Sequence, residues 1–248
     1  MQKIIRIGTR ESQLAVWQAE KVKSLLADNG FASELVYIKS EGDIDLTTPL
    51  YEMGVQGVFT RSLDSALLSE RIDIAVHSMK DVPTQLPTGI VQAAVLKRAS
   101  YKDLLVFKDT LSVMSDELGY KNGQWQSLIP HHSTLIIATS SIRRKAQWLH
   151  RYPGHAIENL RGNVNTRLRK VEENNWQGAI FAAAGLERIG LRPEKSIELD
   201  WMLPAPAQGA IMVVCRDKDV FSKNACAGLN DEDPAVCVKA ERDFLRTL

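Results

Sequence analysis

The period of apolar and polar positions changes repeatedly along this chain, and each change marks an element. "KIIRIG" (3–8) is a short apolar run suited to a buried strand. "ESQLAVWQAEKVKSLLADNG" (11–30) repeats apolar residues at helical spacing, with Leu14, Trp17, Val22 and Leu25 expected on one face and Gly30 as the stop. "ELVYIK" (34–39), "IDIAVH" (72–77) and "IVQAAVL" (90–96) read as further strands, with "FTRSLDSALLSE" (59–70) as a helix among them. A second series then begins: "TLIIAT" leads into the helix "SSIRRKAQWLHR", "AIENL" into "NVNTRLRKVEEN", and "GAIFAAA" into "GLERIG". Strands alternating with helices of this length predict parallel sheets joined by right-handed crossovers. The polar, irregular stretch from about 108 to 133 separates the two series, so two α/β domains are expected.

A third piece starts near residue 217. It is mostly helical, with Asp233 placed as an N-cap and Pro234 in the first turn. Two helices without a strand bury too little surface to stand alone, so this piece reads as the start of a third unit whose remainder is missing from the sequence. The length of 248 residues supports more than one core.

Composition narrows the partners. A formal charge of +1 argues against a general polyanion binder. No run of about eighteen apolar residues occurs, and "MQKIIRIGTRESQ" lacks the apolar core of a secretory signal, so a cytoplasmic chain is the expectation. Cys215, Cys226 and Cys237 are odd in number and form no C-x-x-C pair, which suggests reduced structural residues rather than a disulfide framework or a zinc site.

Charge is distributed unevenly within that near-neutral total. Between 131 and 170 stand eight Lys or Arg against one acid, Glu158. In open parallel sheets ligands bind beyond the carboxyl ends of the strands. Those places hold Thr9, Arg10 and Ser12 after the first strand, and His77, Ser78, Lys80 and Asp81 after "IDIAVH". In the second series they hold Thr139, Ser140, Ser141, Arg143 and Arg144, then Arg161, Gly162, Asn163 and Arg167. Arginine pairs bidentately with carboxylate, and "ATSSIRR" and "LRGNVNTR" both set backbone N–H groups at a helix start, where an anion is favoured. A ligand carrying several carboxylates, bound between two domains, fits these features. Arg151, Arg169 and Lys170 read more simply as solvated surface residues. His77 reads equally well as a satisfied strand-end histidine. Arg143 and Arg144 are harder to dismiss, because cations just inside a helix N-terminus oppose the dipole and call for a compensating anion.

"IRIGTRESQLAVWQA", "DIAVHSMKDVP", "ATSSIRRKAQ", "LRGNVNTRLRK", "AAAGLERIG" and "LPAPAQGAI" together resemble hydroxymethylbilane synthase, also called porphobilinogen deaminase, in order from about residue 4 to 248. The resemblance implies two α/β domains like those of type II periplasmic binding proteins, hinged by two crossing segments, plus a truncated small third α/β domain. On this reading residues 1–98 and 200–216 form domain 1, residues 99–199 domain 2, and residues 217–248 the beginning of domain 3. The implied activity is a transferase reaction of haem biosynthesis, in which four porphobilinogen molecules condense stepwise, with loss of ammonia, into the linear tetrapyrrole hydroxymethylbilane. The implied cofactor is dipyrromethane, held by a thioether to cysteine, and the implied partner is porphobilinogen acting on a monomer, with no nucleic acid and no membrane.

Carried over by motif, Arg10, Arg143, Arg144, Arg161, Arg167 and Arg188 match the family's carboxylate-binding arginines, assisted by Ser12, Lys80, Thr139, Ser140 and Ser141. Asp81 matches the acid that stabilises charge on the pyrrole nitrogens. Two departures stand out. The cofactor cysteine is expected in a Gly-Gly-Cys loop beyond "ERDFLRTL", and none of the three cysteines occupies that place. In "MGVQGVFTR", a flap near the family's active site, Gln56 and Arg61 replace lysines. The rival readings are a small-anion solute-binding or sensor protein of the same architecture and, on the basic 131–170 stretch, a nucleic-acid binder. Fold alone does not choose among these.

Overall fold

Ile5–Thr9 (β1) pairs in parallel with Ser33–Tyr37 (β2) and, on its other side, with Ile74–Ser78 (β3). The chain is described here from a computed structural model that covers residues 3–39, 60–108, 120–121, 124–125 and 134–248. The flap sequence with Gln56 therefore lies outside the described residues, apart from Thr60 and Arg61.

The first sheet has the order β2-β1-β3-β12-β4, where β4 is Ile90–Val95 and β12 is Ile211–Arg216. β12 runs antiparallel to both β3 and β4. The second sheet has the order β11-β5-β10-β8-β9, formed from Asp103–Phe107 (β5), Ile136–Ala138 (β8), Ala156–Glu158 (β9), Gly178–Ala182 (β10) and Ser196–Glu198 (β11). β5 lies antiparallel to β10 and β11. Tyr120–Lys121 (β6) and Gln124–Trp125 (β7) form a separate small pair within the stretch read as irregular. Both large sheets are thus mixed, which corrects the expectation of purely parallel sheets. An apolar strand sequence buried on both faces carries no mark of direction, so antiparallel returns such as β12 are not separable from parallel strands by pattern.

Helices cover the faces: Gln13–Asp28 (α1), Arg61–Leu68 (α2), Ile142–Arg151 (α3), Val164–Glu173 (α4), Ala183–Arg188 (α5), Val220–Ala227 (α6) and Glu232–Thr247 (α7). On α1 the buried residues are Gln18, Ala19, Val22 and Leu26, whereas Trp17 is exposed. Of the expected face, Val22 is buried in the core and Leu25 packs against it, while Ala19 and Leu26 turn inward in place of Trp17. The last two helices complete the first sheet instead of standing apart. Ala225 and Cys226 of α6 join the cluster of Ile5, Ile7 and Val213 on one face. Val238 of α7 joins Ala75, Met79 and Val214 on the other. Asp231, not Asp233, occupies the N-cap position of α7, and Pro234 is the third helical residue.

The two sheets are joined by residues 96–102 and 199–210, which run alongside each other: the Ala99 N–H donates to the Gly209 carbonyl at 3.0 Å. Gly209 has φ +88°, and a Cβ there would lie 2.6 Å from the carbonyl oxygens of both Ala99 and Ser100. Only glycine permits that contact. At the far end of the first sheet, buried Asp73 accepts from Arg6 Nε and Nη2, each at 2.9 Å, and pairs with Arg216 Nη2 at 3.4 Å, tying β1, β3 and β12 together.

Candidate active site

Four strand ends and the helices that follow them converge on a cavity of about 470 Å3 between the two sheets. After β1 the chain turns at Ser12, whose hydroxyl caps α1 by accepting from the Ala15 N–H at 3.4 Å. After β8, Thr139 Oγ1 accepts from the Ser141 N–H at 3.2 Å, and Ser141 in turn caps α3. After β9, Asn163 caps α4 by accepting from the Thr166 N–H at 3.0 Å. Three helix N-termini therefore border one cavity, and each carries unpaired backbone N–H groups and the positive end of a dipole.

Between them, β3 ends in a single tight turn, Met79–Asp81. Met79 is buried and its N–H donates to the Ala210 carbonyl at 3.0 Å, which anchors the turn so that Lys80 and Asp81 point into the cavity wall. Arg242 of α7 holds the same turn from behind, donating to the carbonyls of Met79, Val82 and Pro83. No sequence motif singles out Arg242. Its only signal is a cation at the core spacing of an amphipathic helix.

All twelve residues expected at the site line this cavity: Arg10, Ser12, Lys80, Asp81, Thr139, Ser140, Ser141, Arg143, Arg144, Arg161, Arg167 and Arg188. Their polar atoms are committed to different degrees. Ser140 Oγ accepts from the Leu160 N–H at 2.9 Å and lies against the Leu160 carbonyl and the Asn159 amide, so it braces the β8 and β9 ends against each other. Arg167 Nε donates to the Gly162 carbonyl at 2.7 Å, and Arg188 Nη2 to the Gly209 carbonyl at 2.6 Å. His77 also lines the cavity, buried, with Nε2 lacking a partner.

The anion demanded by Arg143 and Arg144 at the start of α3 is present inside the protein. Asp103, fully buried at the start of β5, accepts from Arg144 Nε at 3.1 Å and Nη2 at 2.7 Å, and its other oxygen pairs with Arg143 Nη1 at 2.8 Å. Sequence alone points to a ligand for that compensation, since no motif in it distinguishes Asp103. The available signal was an acid immediately before the apolar run "LLVF" in an otherwise unassigned segment.

Among the described residues, seven cationic side chains line the cavity against one acid, Asp81. Crowding and burial show in their proton affinities. Burial, opposed by Asp81 and reinforced by Arg144, pushes Lys80 down to about 8. Burial and the neighbouring Arg144 push Arg167 down to about 10, and burial, opposed by Glu187, does the same for Arg188. Burial, with Arg10 nearby, pushes His77 down to about 4, so its imidazole is neutral near pH 7. A group of cations held below their ordinary values is stabilised by any anion that enters. Ring carboxylates on a pair of linked pyrroles suit this donor set. None of the three cysteines lines the cavity. Cys215 and Cys226 are buried, with thiols pushed up by burial to about 11 and about 12, and Cys237 is exposed on α7. Among the described residues no cluster of His, Cys, Asp or Glu could hold a metal ion, and no helix is long and apolar enough to cross a membrane.

The chain matches the family model described as porphobilinogen deaminase, dipyromethane cofactor binding domain, over residues 5–224. It is 43% identical to the porphobilinogen deaminase of Syntrophotalea carbinolica over 98% of this chain and 74% of that protein. It is 41% identical to the Legionella pneumophila porphobilinogen deaminase, over 97% of this chain and 74% of that protein. It is also 41% identical to the chloroplastic porphobilinogen deaminase of Oryza sativa, over 99% of this chain and 66% of that protein. Among solved structures, the methionine binding protein MetQ matches with a TM-score of 0.52 at 15% identity, covering 96% of each chain. An ancestral cationic amino acid solute binding protein matches at 0.51 and 12%, covering 97% of this chain and 94% of that one. These last two likenesses concern the fold alone.

Proposed function

This chain belongs to the porphobilinogen deaminase family, and from that premise we propose that the crevice between the sheets grips pyrrole carboxylates while Asp81 serves the condensation. The family's reaction is the stepwise joining of four porphobilinogen molecules into hydroxymethylbilane with release of ammonia, a transferase reaction of tetrapyrrole biosynthesis, and its cofactor is dipyrromethane. When bound, that group supplies the pyrrole carbon to which substrate rings are added.

The observation that carries the site assignment is the seven-to-one excess of cations over acids among the described residues of one cavity, in a chain whose total charge is +1. Each pyrrole ring brings an acetate and a propionate, and their mutual repulsion and desolvation need fixed positive charge. Arg10, Arg161, Arg167 and Arg188 supply it from several directions, and the N-termini of α1, α3 and α4 add backbone donors. Ser12, Ser141 and Thr139 shape those termini. Lys80 offers a point charge beside Asp81.

Loss of ammonia from porphobilinogen leaves its exocyclic methylene electron-poor, with positive charge shared by the ring nitrogen. Asp81 is the only carboxylate in the cavity wall among the described residues. It accepts a hydrogen bond from the pyrrole N–H of the reacting ring, stabilises the charge that develops there, and holds or releases a proton at its carboxylate oxygen. The turn carrying it is fixed by Met79 and Arg242, so the carboxylate needs little reorganisation when charge appears.

We keep a partition into residues 1–98 and 200–216 as one domain, 99–199 as the other and 217–248 as the start of a third; the contacts of Cys226 and Val238 with the first sheet's core are where that third unit would join. We place the working enzyme in the cytoplasm, as a monomer acting without nucleic acid or membrane. In support of a small anionic ligand over a polyanion, seven of the described cationic side chains meet in one crevice of a chain whose total charge is +1. The test of the site is Asp81→Asn in the full-length, cofactor-loaded enzyme. Ring addition is expected to slow by roughly two to four orders of magnitude, the usual weight of a positioned acid or base. Cofactor loading, read by intact mass and by colour with Ehrlich's reagent, should stay unchanged. Near-normal turnover would remove Asp81 from the chemistry.

A further inference from the structure

Asp103 sits where both crossing segments meet the second sheet. It is the first residue of β5, directly after the segment 96–102, and it is fully buried. Its Oδ1 accepts from Arg144 Nε and Nη2, and also from Gln208 Nε2 at 2.9 Å. Its Oδ2 pairs with Arg143 Nη1. Gln208 belongs to the returning segment and is itself fully buried. Its amide nitrogen reaches the carbonyls of Tyr101 and Lys102 as well, so one side chain stitches the outgoing segment to the returning one and to Asp103.

These bonds divide the labour between the two arginines. Arg144 is 5% exposed, and its Nε, Nη1 and Nη2 all donate to protein acceptors, Nη1 to the Ile180 carbonyl at 2.9 Å. Arg143 is less enclosed: its Nη1 lies against Asp103 and donates to the Leu203 carbonyl at 2.5 Å, and the side chain lines the cavity. Two guanidiniums on successive residues at a helix N-terminus repel each other and the dipole. Asp103 offsets both effects and fixes the direction in which Arg143 faces the cavity. The opposite end of the crossover is fixed by a matching device, Arg98 bridging the Gln208 carbonyl and Glu241 of α7.

We infer that Asp103, braced by Gln208, is a positioning residue of the anion site: it sets the geometry through which Arg143 meets a pyrrole carboxylate, and it ties that geometry to the interdomain crossover. The inference rests on the ligand reading of the crevice given above. Asp103 does not face the cavity, so it acts through Arg143 and not by contact with substrate.

A double-mutant cycle on the full-length enzyme tests this, using Asp103→Asn, Arg143→Gln and the pair. The readouts are KM and kcat for porphobilinogen, the fraction of molecules carrying dipyrromethane by intact mass, and the melting temperature. Asp103→Asn is expected to raise KM by about tenfold and to lower loading, but to add less than about twofold to KM when Arg143→Gln is already present, since coupled residues are non-additive. Gln208→Leu keeps the carboxylate and removes its brace together with the amide's bonds to the Tyr101 and Lys102 carbonyls; in the same cycle it should give a smaller KM rise, about threefold, that also vanishes with Arg143→Gln. This second variant decides the question where Asp103→Asn folds poorly. Penalties that simply add, or a lowered melting temperature with KM and loading unchanged, would overturn the positioning role. A wild-type KM and loading for Arg143→Gln alone would instead overturn the ligand reading of the site.

Discussion

Lys80 stands in the crevice with its ammonium pushed from the usual 10.5 down to about 8, chiefly by burial. Each unit of such a shift corresponds to about 1.4 kcal/mol, so the ligand-free fold carries a penalty of about 3 kcal/mol at neutral pH for keeping this lysine charged. Replacing it with methionine, similar in length but neutral, should therefore stabilise the cofactor-free chain. The dependence on pH identifies the cause. Below pH 8 both folded and unfolded chains hold the Lys80 proton and the penalty is complete. Between 8 and 10.5 the unfolded chain holds it and the folded chain does not, so wild-type stability rises with pH. Above 10.5 neither holds it and the difference disappears. Urea unfolding of wild type and Lys80→Met at pH 7, 8, 9 and 10 should show the variant ahead by roughly 3 kcal/mol at pH 7 and nearly level at pH 10. A gap that stays constant with pH, or widens as pH rises, would refute the account. The same variant should bind porphobilinogen more weakly at pH 7, because the charge that costs stability in the empty crevice is the one a carboxylate meets.

Three other outcomes follow from particular contacts. Gly209→Ala forces a Cβ against two carbonyl oxygens at positive φ, and should cost a few kcal/mol by urea unfolding, with cooperative unfolding retained. Asp73→Asn leaves Arg6 and Arg216 without their shared carboxylate and should cost about 2–4 kcal/mol at pH 7. Burial alone would raise the Asp73 carboxyl, but the Arg6 hydrogen bonds hold it below its ordinary value, so the wild-type advantage should persist at pH 5 and shrink as pH falls below 4. His77→Phe keeps the strand end filled and removes the unpartnered Nε2, so thermal stability should hold or rise by about 1 kcal/mol. A large loss of stability in that variant would mean that the imidazole makes a bond its surroundings do not reveal.

The lining of the crevice was legible in sequence because post-strand position is a topological rule that survives errors in strand direction. Lys80, Asp81, Arg143 and Arg161 fall after apolar runs whichever way the neighbouring strands point. What stayed hidden depends on pairing between distant segments. Asp103 gains its meaning from Arg144 and Gln208, forty-one and one hundred and five residues away. Neither partner is marked by any local period. Trp17 was misplaced for a related reason: an amphipathic helix offers two overlapping apolar faces, and only the sheet beneath decides that Ala19 and Gln18 turn inward. The capping residue of α7 moved by two positions because Asp231 and Asp233 are equivalent as sequence signals, and only the chain's exit from the Val95 carbonyl, which accepts from the Asp231 N–H at 2.8 Å, distinguishes them.

The placement of β12 between β3 and β4 governs the order in which this polypeptide can assemble while it is being made. All five strands of the second sheet lie within residues 103–198 and leave the ribosome before Ile211 does. During that interval β4 has no neighbour in its own sheet, and both β3 and β4 present bare edges to whatever is nearby. The later half of the crevice is therefore finished first, and the nascent chain depends on a segment translated more than a hundred residues after β4 to close its earliest sheet.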